Sequence, residues 1–340
     1  MGRPPYEPTK LQKSIRLRAF AKINLGLRVL GKRPDNFHEI RTIYQTIALH
    51  DRLEISLSQA GKGICLECDS PEIPSGRENL VYRACDLWRR ARGFGGGVRV
   101  RLEKMIPAGS GLGGASSDAA ATLEGLEWLS GEKLPLPKRF SLAAQLGSDV
   151  ALFLLGGRVL GCGRGEEVYP LPDLRPRKCL VVFPGFSIST AEAYREVDSR
   201  LGTVLIRAVT PASSRGWSRQ EGGATLKIGR HARLTSRGKR RNIEYVGAWP
   251  QFPLLDWGPA ENDFEPVVFA EWPELARLKA HLIRAGAEIA SLTGSGSAVY
   301  AVFESNRQLL HASKLIPKGW LQFRSRTLSR ADYRRLRCER

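Results

Sequence analysis

The chain has 340 residues, of which 42% are hydrophobic and 26% charged, and its net charge is +19. This length and composition predict a globular protein of two domains. No apolar run approaches the roughly 18–20 residues of a membrane-spanning helix, which excludes a membrane-spanning protein. The N-terminus lacks the apolar core of a signal peptide. We therefore predict a disordered tail over residues 1–14 and a cytoplasmic location.

The positive charge favours a polyanionic partner or anionic substrates. Much of it lies in residues 202–250, which hold ten Lys or Arg and two acidic residues, a net +8. Three alternatives stay open for this segment: a disordered basic insert, a nucleic-acid-binding segment, or a stretch out of frame relative to the ancestral gene. Nucleic-acid binding as the main function is disfavoured, because the only interleaved aromatic residues are Trp217, Tyr245 and Trp249.

Six cysteines are present, and Cys65 and Cys68 form a lone C-x-x-C. No second cysteine pair or nearby histidine pair accompanies them, so no zinc site is predicted and no residue is assigned as a metal ligand. We interpret the cysteines as small core residues. Free cysteines of this kind fit a reducing cytoplasm.

Hydrophobic patterning predicts an α+β protein with an N-terminal domain over 15–165 and a C-terminal domain over 166–330. The segment 202–250 lies within the second domain, and residues 331–340 form a basic tail. The first domain is predicted to contain strands at 15–30, 40–49, 52–58 and 98–105, a turn at 31–36, helices at 79–93, 115–129 and 138–147, and a closing apolar stretch at 150–163. The second is predicted to contain strands at 178–186 and 320–327, helices at 189–200, 271–287 and 306–315, and a strand–turn–strand unit at 291–303.

A glycine-rich stretch, IPAGSGLGGASSDAAATLEGL (106–126), separates a predicted strand from a predicted helix. Its glycines at 109, 111, 113 and 114 let backbone N–H groups approach an anion, and the helix N-terminus adds partial positive charge. The alternatives are a tight turn without ligand and a dinucleotide site. No lysine follows the glycines, so a Walker-type loop is absent. A dinucleotide site also needs an acidic residue about 20 positions after the glycines, and the only candidate, Glu132, lies in a loop-like stretch.

The motif PAGSGLGGASSDAA resembles the phosphate-binding signature of the GHMP kinases, a family of small-molecule kinases. AFAKINLGLRVLGKRPDNFHEI (19–40) and LTGSGSAVYAVF (292–303) are similar to two further motifs of the family. Shorter matches are ENLVYRA, GSDVALFLLGG and ENDFEPVV. The resemblance implies the two-domain GHMP kinase fold, with a ribosomal protein S5 domain 2-like N-terminal domain and a ferredoxin-like C-terminal domain.

The resemblance also implies ATP and Mg²⁺ as cofactors and two catalytic residues, Lys22 and Asp149. Phosphorylating an alcohol requires a group that accepts the hydroxyl proton and a positive charge near the transferred phosphoryl group. A carboxylate and an ammonium provide these two functions. Read without the resemblance, Asp149 is equally well a helix cap, and Lys22 a surface lysine. The residues expected to bind ATP are Pro107, Ala108, Gly109, Ser110, Gly111, Leu112, Gly113, Gly114, Ala115, Ser116 and Ser117.

The N-terminal motif is similar to that of the family branch that phosphorylates the 2-hydroxyl of a cytidyl-diphosphate-linked methylerythritol, in non-mevalonate isoprenoid precursor synthesis. The resemblance implies that Phe37 and Tyr194 stack on cytosine, that His38 hydrogen-bonds its edge, and that Asn24 and Thr190 contact the substrate.

Two positions depart from the family pattern. Asn36 stands where glycine is usual and tolerates a left-handed turn, and Ala115 stands where glycine is common. Another GHMP small-molecule kinase is the alternative within the family, and core packing and turn capping are the alternatives for Phe37 and His38. Nothing in the sequence predicts an oligomeric state.

Overall fold

The computed structural model describes residues 14–59, 62–201 and 261–339. The predicted tail over 1–14, apart from its last residue, and the basic segment 202–250 lie outside the described residues. None of the described helices is long and apolar enough to span a membrane.

Strands and helices interleave as the α+β prediction requires. The elements of the first half are β1 Ile15–Lys32, β2 His38–Ser58, β3 Ile64–Cys68, α1 Leu80–Arg92, β4 Gly97–Glu103, α2 Gly114–Ser130, α3 Leu136–Leu146, α4 Val150–Leu155, β5 Arg158–Cys162 and β6 Glu167–Pro170. Those of the second half are β7 Lys178–Phe183, α5 Thr190–Leu201, α6 Glu265–Glu271, α7 Pro273–Arg284, β8 Ile289–Leu292, β9 Val299–Phe303, α8 Asn306–Ser313, β10 Leu321–Arg326, α9 Arg330–Arg337 and β11 Cys338–Glu339.

The first sheet has the order β11-β1-β2-β4-β3, with β5 and β6 added beside β2. Its centre is the long hairpin of β1 and β2, whose turn places Asn36 in the left-handed region at φ 66°. The prediction of separate strands at 40–49 and 52–58 is wrong. The polar pair His50 and Asp51 resembles a turn in sequence, but both residues stay in register with β1, opposite Phe20 and Ala19. One strand therefore runs through the predicted break.

Helices α1, α2 and α4 pack on one face of this sheet, and α3 packs on those helices. Small residues let α2 pack closely on several sides, and its alanines at 119, 120 and 121 are fully buried. Helix α1 begins and ends as predicted: the Asn79 side chain accepts a hydrogen bond from the Val81 N–H at 2.8 Å, and Gly93 ends the helix in a left-handed conformation. The sheet continues to Pro170, past the predicted domain boundary at 165, because β6 pairs with β5.

The second sheet is antiparallel, with the order β10-β7-β9-β8, and α5 and α7 connect β7 to β8 while α8 connects β9 to β10. This β-α-β-β-α-β arrangement is the expected ferredoxin-like unit. The predicted long helix over 271–287 is shorter, because α6 ends at Glu271 and α7 begins at Pro273, whose missing N–H is tolerated in the first turn.

The predicted basic tail over 331–340 is wrong for its described residues. Helix α9 packs Tyr333 into a cluster with Phe20 and Leu328, and β11 pairs with β1 at the edge of the first sheet. The arginines of this segment suggested a solvated tail, but Arg337 is buried and its Nε lies 3.0 Å from Glu124 Oε2. The end of the described chain thus belongs with the first sheet rather than following the second domain.

The two sheets meet through apolar side chains. Ile23 of β1 and Ile43 of β2 pack in one cluster with Val181 of β7 and Tyr300 of β9. The cleft above this contact is lined by both units and holds the cavity described next.

Candidate active site

The glycine-rich loop lines a cavity of about 900 Å³ between the two units. Gly109, Gly111 and Gly113 have φ values of 63°, 79° and 73°, a region that residues with a Cβ seldom adopt. Helix α2 begins directly afterwards at Gly114. The loop therefore brings bare backbone and a helix N-terminus to the cavity, as predicted for a phosphate site.

The turn between β8 and β9 holds the loop from the other unit. The Thr293 hydroxyl donates to the Gly111 carbonyl at 3.1 Å, and the Ala298 N–H donates to the Ser110 carbonyl at 3.2 Å. Within the loop, the Ser110 hydroxyl donates to the Pro107 carbonyl at 2.6 Å. In each of these contacts, a backbone carbonyl of the loop accepts the hydrogen bond.

Lys22 and Asp149 come together beside the loop. Lys22 Nζ lies 3.8 Å from Asp149 Oδ2, and the Lys22 N–H donates to the Leu112 carbonyl at 2.9 Å. The Tyr44 hydroxyl donates to Asp149 Oδ1 at 2.9 Å. Asp149 precedes α4, but its side chain makes no capping hydrogen bond. The structure therefore places this carboxylate against Lys22 and Tyr44, and not on the helix end.

Lys22 is almost completely buried, with 3% of its surface exposed. Burial lowers its pKa, and the Asp149 carboxylate opposes that shift. A β-bulge between Phe20 and Lys22 interrupts the β1–β2 register just before the lysine. An irregular ladder at this point is typical of strands that redirect a functional side chain.

Asn24 lies beside Lys22 and hydrogen-bonds protein groups through both its Oδ1 and its Nδ2. Its Oδ1 accepts hydrogen bonds from Lys22 Nζ at 2.7 Å and the Gly294 N–H at 2.8 Å. Its Nδ2 donates to the Thr42 hydroxyl at 2.7 Å. These bonds fix the lysine, and substrate contact by Asn24 stays a prediction.

The predicted cytosine-binding residues Phe37, His38 and Tyr194 line the same cavity, in a part that we call its aromatic end. The His38 ring stacks on the Tyr194 ring, with centroids 4.2 Å apart and planes at 11°, while Phe37 is exposed at the hairpin turn. His38 Nε2 lies 2.8 Å from Asp198 Oδ1. The Thr190 hydroxyl lies 3.0 Å from the Ser295 hydroxyl.

Residues of all three motifs line one cavity. Comparison with known proteins supports the family resemblance that these motifs suggest. The family model "GHMP kinases N terminal domain" matches residues 79–157, and "GHMP kinases C terminal" matches residues 254–313. The 4-diphosphocytidyl-2-C-methyl-D-erythritol kinase of Solibacter usitatus is 43% identical over 320 residues, which are 94% of this chain and 90% of the relative. The chain belongs to the GHMP kinase family.

Other comparisons agree with this assignment. The kinase of the same name from Pelotomaculum thermopropionicum is 38% identical over 294 residues, 86% of this chain and 91% of the relative. A crystal structure of 4-(cytidine 5'-diphospho)-2C-methyl-D-erythritol kinase superposes with a TM-score of 0.69 at 30% identity, covering 92% of this chain and 99% of that one. The GHMP kinase fold is confirmed, and the protein is a small-molecule phosphotransferase.

Several cavity residues of this GHMP kinase escaped the sequence reasoning. Asp198 lies one helical turn after Tyr194 on α5, and that i, i+4 spacing is a signal that could have identified it. The Arg164 guanidinium lies 4.7 Å from the centroid of the Phe37 ring. The apolar residues along the side of the cavity that α1 and β4 form were also missed: Ile73, Pro74, Leu80, Leu102 and Ile106.

A buried charge cluster supports the loop of this GHMP kinase. Lys104 Nζ lies 2.5 Å from Asp51 Oδ2 and 2.8 Å from Asp118 Oδ2. Burial raises the pKa of Asp118 to about 8, with Asp51 adding to the shift and Lys104 opposing it. Ser116 lines the cavity, whereas the Ser117 hydroxyl is buried beneath it without a hydrogen-bond partner. Among the described residues, no three His, Cys, Asp or Glu side chains are grouped to hold a metal ion.

Proposed function

We propose that this GHMP kinase transfers the γ-phosphoryl group of ATP to the 2-hydroxyl of 4-diphosphocytidyl-2-C-methyl-D-erythritol. The products are the 2-phosphate and ADP, in non-mevalonate isoprenoid precursor synthesis. The observation that carries the proposal is the Lys22–Asp149 pair next to a glycine-rich loop that opens on the same cavity. The names of relatives at 38% and 43% identity support the choice of substrate.

In this proposal the ATP phosphates bind the N–H groups of residues 107–117, and α2 contributes the partial positive charge of its N-terminus. The adenine ring packs against the apolar residues of the cavity, where burying a flat aromatic surface is favourable. These residues are Ile73, Pro74, Leu80, Leu102 and Ile106. The γ-phosphate then lies near Lys22, whose backbone is hydrogen-bonded to Leu112 of the loop.

Asp149 is the proposed base for the substrate hydroxyl. Its carboxylate is partly exposed, at 31%, and lies between the Lys22 ammonium and the Tyr44 hydroxyl. Burial, and then Asp149 itself, raise the pKa of Tyr44 well above 10, so this phenol stays protonated and donates its hydrogen bond. The carboxylate is thereby held in one orientation, with its charge balanced by Lys22.

The residues present fit a magnesium ion that accompanies the nucleotide. Mg²⁺ prefers oxygen ligands and is usually bound by one or two carboxylates together with phosphate oxygens and water. Asp149 and the Ser116 hydroxyl are oxygen donors that line the cavity beside the loop. They would hold the ion, which would supply positive charge to the phosphate oxygens.

The cytidyl diphosphate end is proposed to occupy the aromatic end of the cavity. Phe37 and Tyr194 offer ring faces for cytosine, and His38 offers a hydrogen-bonding edge. One face of the Tyr194 ring stacks on His38, so in this proposal cytosine stacks on the other ring faces that Tyr194 and Phe37 present. We also propose a cytoplasmic location, which agrees with six cysteines that form no disulfide.

The test is ADP formation with the cytidyl substrate in wild type, Asp149→Asn and Lys22→Ala. Each variant should lose about 10²- to 10⁴-fold in kcat, the usual contribution of a positioned acid or base. Asp86→Asn, which removes one carboxylate of an exposed i, i+4 pair on α1, is the matched control and should retain activity. Full activity in Asp149→Asn would refute the proposed base, and equal turnover of mevalonate or homoserine would refute the substrate assignment.

A further inference from the structure

The end of the chain returns to the elements that carry the catalytic pair. We define residues 329–339, which comprise α9 and β11, as the C-terminal clasp. The Ser329 hydroxyl caps α9 by accepting the Asp332 N–H at 3.1 Å, and β11 pairs with β1. Arg18 Nε of β1 lies 2.8 Å from Glu339 Oε1. The clasp is thus attached to β1 a few residues before Lys22.

Tyr333 is the central side chain of the clasp and is 3% exposed. Its ring lies 5.5 Å from the Phe20 ring, centroid to centroid. It also packs so closely on Gly156 that a Cβ added there would overlap the tyrosine ring. The Tyr333 hydroxyl donates to the Phe153 carbonyl at 2.6 Å and accepts a hydrogen bond from Arg337.

The Phe153 carbonyl belongs to α4, the helix that starts immediately after Asp149. This helix has six residues, which is too short to be stable by itself. The last four carbonyls of any helix lack an intrahelical partner. Tyr333 supplies that partner for Phe153, and the clasp therefore fixes the far end of the helix whose near end follows the proposed base.

The same contacts extend to the glycine-rich loop over 107–113, the proposed phosphate-binding loop, which we call the phosphate loop. A Cβ added at Gly113 would lie 3.1 Å from Phe153 Cζ, so the Phe153 ring lies directly under the loop. Arg337 Nε lies 3.0 Å from Glu124 Oε2 on α2, the helix that begins at the loop. The clasp therefore contacts β1, which carries Lys22, and the helices α2 and α4, which begin directly after the loop and after Asp149.

We propose that Tyr333 is a positioning residue for phosphoryl transfer: its hydroxyl anchors α4 and thereby sets the orientation of Asp149 toward the substrate hydroxyl. The inference rests on the proposed function, in which Asp149 is the base. It concerns the rate of the chemical step, because the loop N–H groups and the aromatic end of the cavity bind the substrates without the Tyr333 hydroxyl.

The decisive variant is Tyr333→Phe, which keeps the ring and removes the hydroxyl. The measurement is the single-turnover rate of phosphoryl transfer at saturating ATP and cytidyl substrate, together with KM for both. We expect the rate to fall about tenfold, within the loss that a small misplacement of a catalytic group causes, and both KM values to stay within twofold.

Two controls separate positioning from general destabilisation. Tyr169→Phe makes the same chemical change on an exposed tyrosine of β6, and Ile55→Val removes one methylene from the buried core of the first sheet. Both should react at the wild-type rate at a temperature where all variants are folded. A Tyr333→Phe rate within twofold of wild type overturns the inference, and so does a loss that Ile55→Val reproduces.

A second variant covers the case in which Tyr333→Phe does not fold. Arg337→Lys keeps the charge opposite Glu124 but removes the guanidinium that donates to the Tyr333 hydroxyl oxygen and thereby directs the hydroxyl proton toward the Phe153 carbonyl. A rate reduced severalfold with unchanged KM values supports the inference, and a wild-type rate overturns it. Asp149→Asn in the same assay distinguishes the two failures: if it abolishes transfer while Tyr333→Phe does not, the clasp proposal alone fails.

Discussion

Replacing Gly111 by alanine should damage the proposed nucleotide site selectively, because this glycine lies where the phosphate loop contacts the β8–β9 turn. Its φ of 79° is unfavourable for any residue with a Cβ. An added Cβ would overlap the Thr293 carbonyl oxygen and lie 3.0 Å from its carbonyl carbon and 3.1 Å from the Gly296 carbonyl oxygen. These neighbours are backbone atoms and cannot rotate away.

Two effects set the size of the loss. The left-handed conformation costs about 1–2 kcal/mol once a Cβ is present. Forcing a methyl group against packed backbone costs a further 1–3 kcal/mol or so. The loop can relieve the overlap only by moving away from Thr293, which displaces the N–H groups proposed to bind phosphate. If half of the combined cost falls on nucleotide binding, kcat/KM for ATP drops about 5- to 60-fold, since about 1.4 kcal/mol corresponds to a factor of ten.

The assay is steady-state ADP formation with ATP varied at saturating cytidyl substrate, alongside urea unfolding. Gly319→Ala is the matched control, because Gly319 also has a positive φ, 89°, but nothing lies within 4 Å of its added Cβ. It should lose stability through strain and keep its kcat/KM for ATP. A Gly111→Ala enzyme whose kcat/KM for ATP stays within twofold of wild type would refute the assigned role of the loop.

Three further predictions concern titratable groups. Burial lowers the pKa of Lys22, so the basic limb of the kcat profile should lie below the ordinary lysine value of about 10.4, and a profile flat to that pH contradicts the need for its ammonium. Because the folded-state pKa of Asp118 is about 8 against 3.8 ordinarily, the folded protein binds the extra proton between those values. The unfolding free energy of wild type should therefore fall from pH 4 to pH 8 relative to Asp118→Asn, and parallel curves would exclude this. Burial raises the thiol pKa of Cys85 and Cys179 to about 12, so a thiol reagent should modify exposed Cys65 in the native protein and these two only on unfolding, as mass spectrometry can check.

The conformation of the glycine-rich loop and the fold class could be predicted because their signals are local. Glycines at left-handed positions, a preceding alternating strand and a following run of small residues are all contained in residues 98–129. The three motifs of the family extended this to the fold and to Lys22 and Asp149. The helix ends at Asn79 and Gly93 were readable for the same reason, since capping depends on neighbouring residues.

The rest of the site depends on contacts between distant segments, which a local pattern does not contain. Charged residues are usually solvated at the surface, and nothing in the local sequence marks Lys104, Asp51 or Asp118 as buried. Their burial against one another arises only when β2, β4 and α2 assemble. The prediction of a basic tail over 331–340 was wrong for a related reason. Its arginines dominate the pattern, and the partner that buries Arg337 lies on α2, in the first half of the chain.

The family motif at 292–303, which contains the β8–β9 turn, contacts both Asn24 and the glycine-rich loop. The Gly294 N–H donates to Asn24 Oδ1, which in turn accepts from Lys22 Nζ, so the β8–β9 turn of one unit fixes the lysine of the other. The same turn holds the phosphate loop through Thr293. A displacement of the second unit would therefore release the lysine and the loop together. Because the proposed phosphoryl transfer needs both in place, the packing of the two sheets is, in this proposal, part of the catalytic arrangement and not only its scaffold.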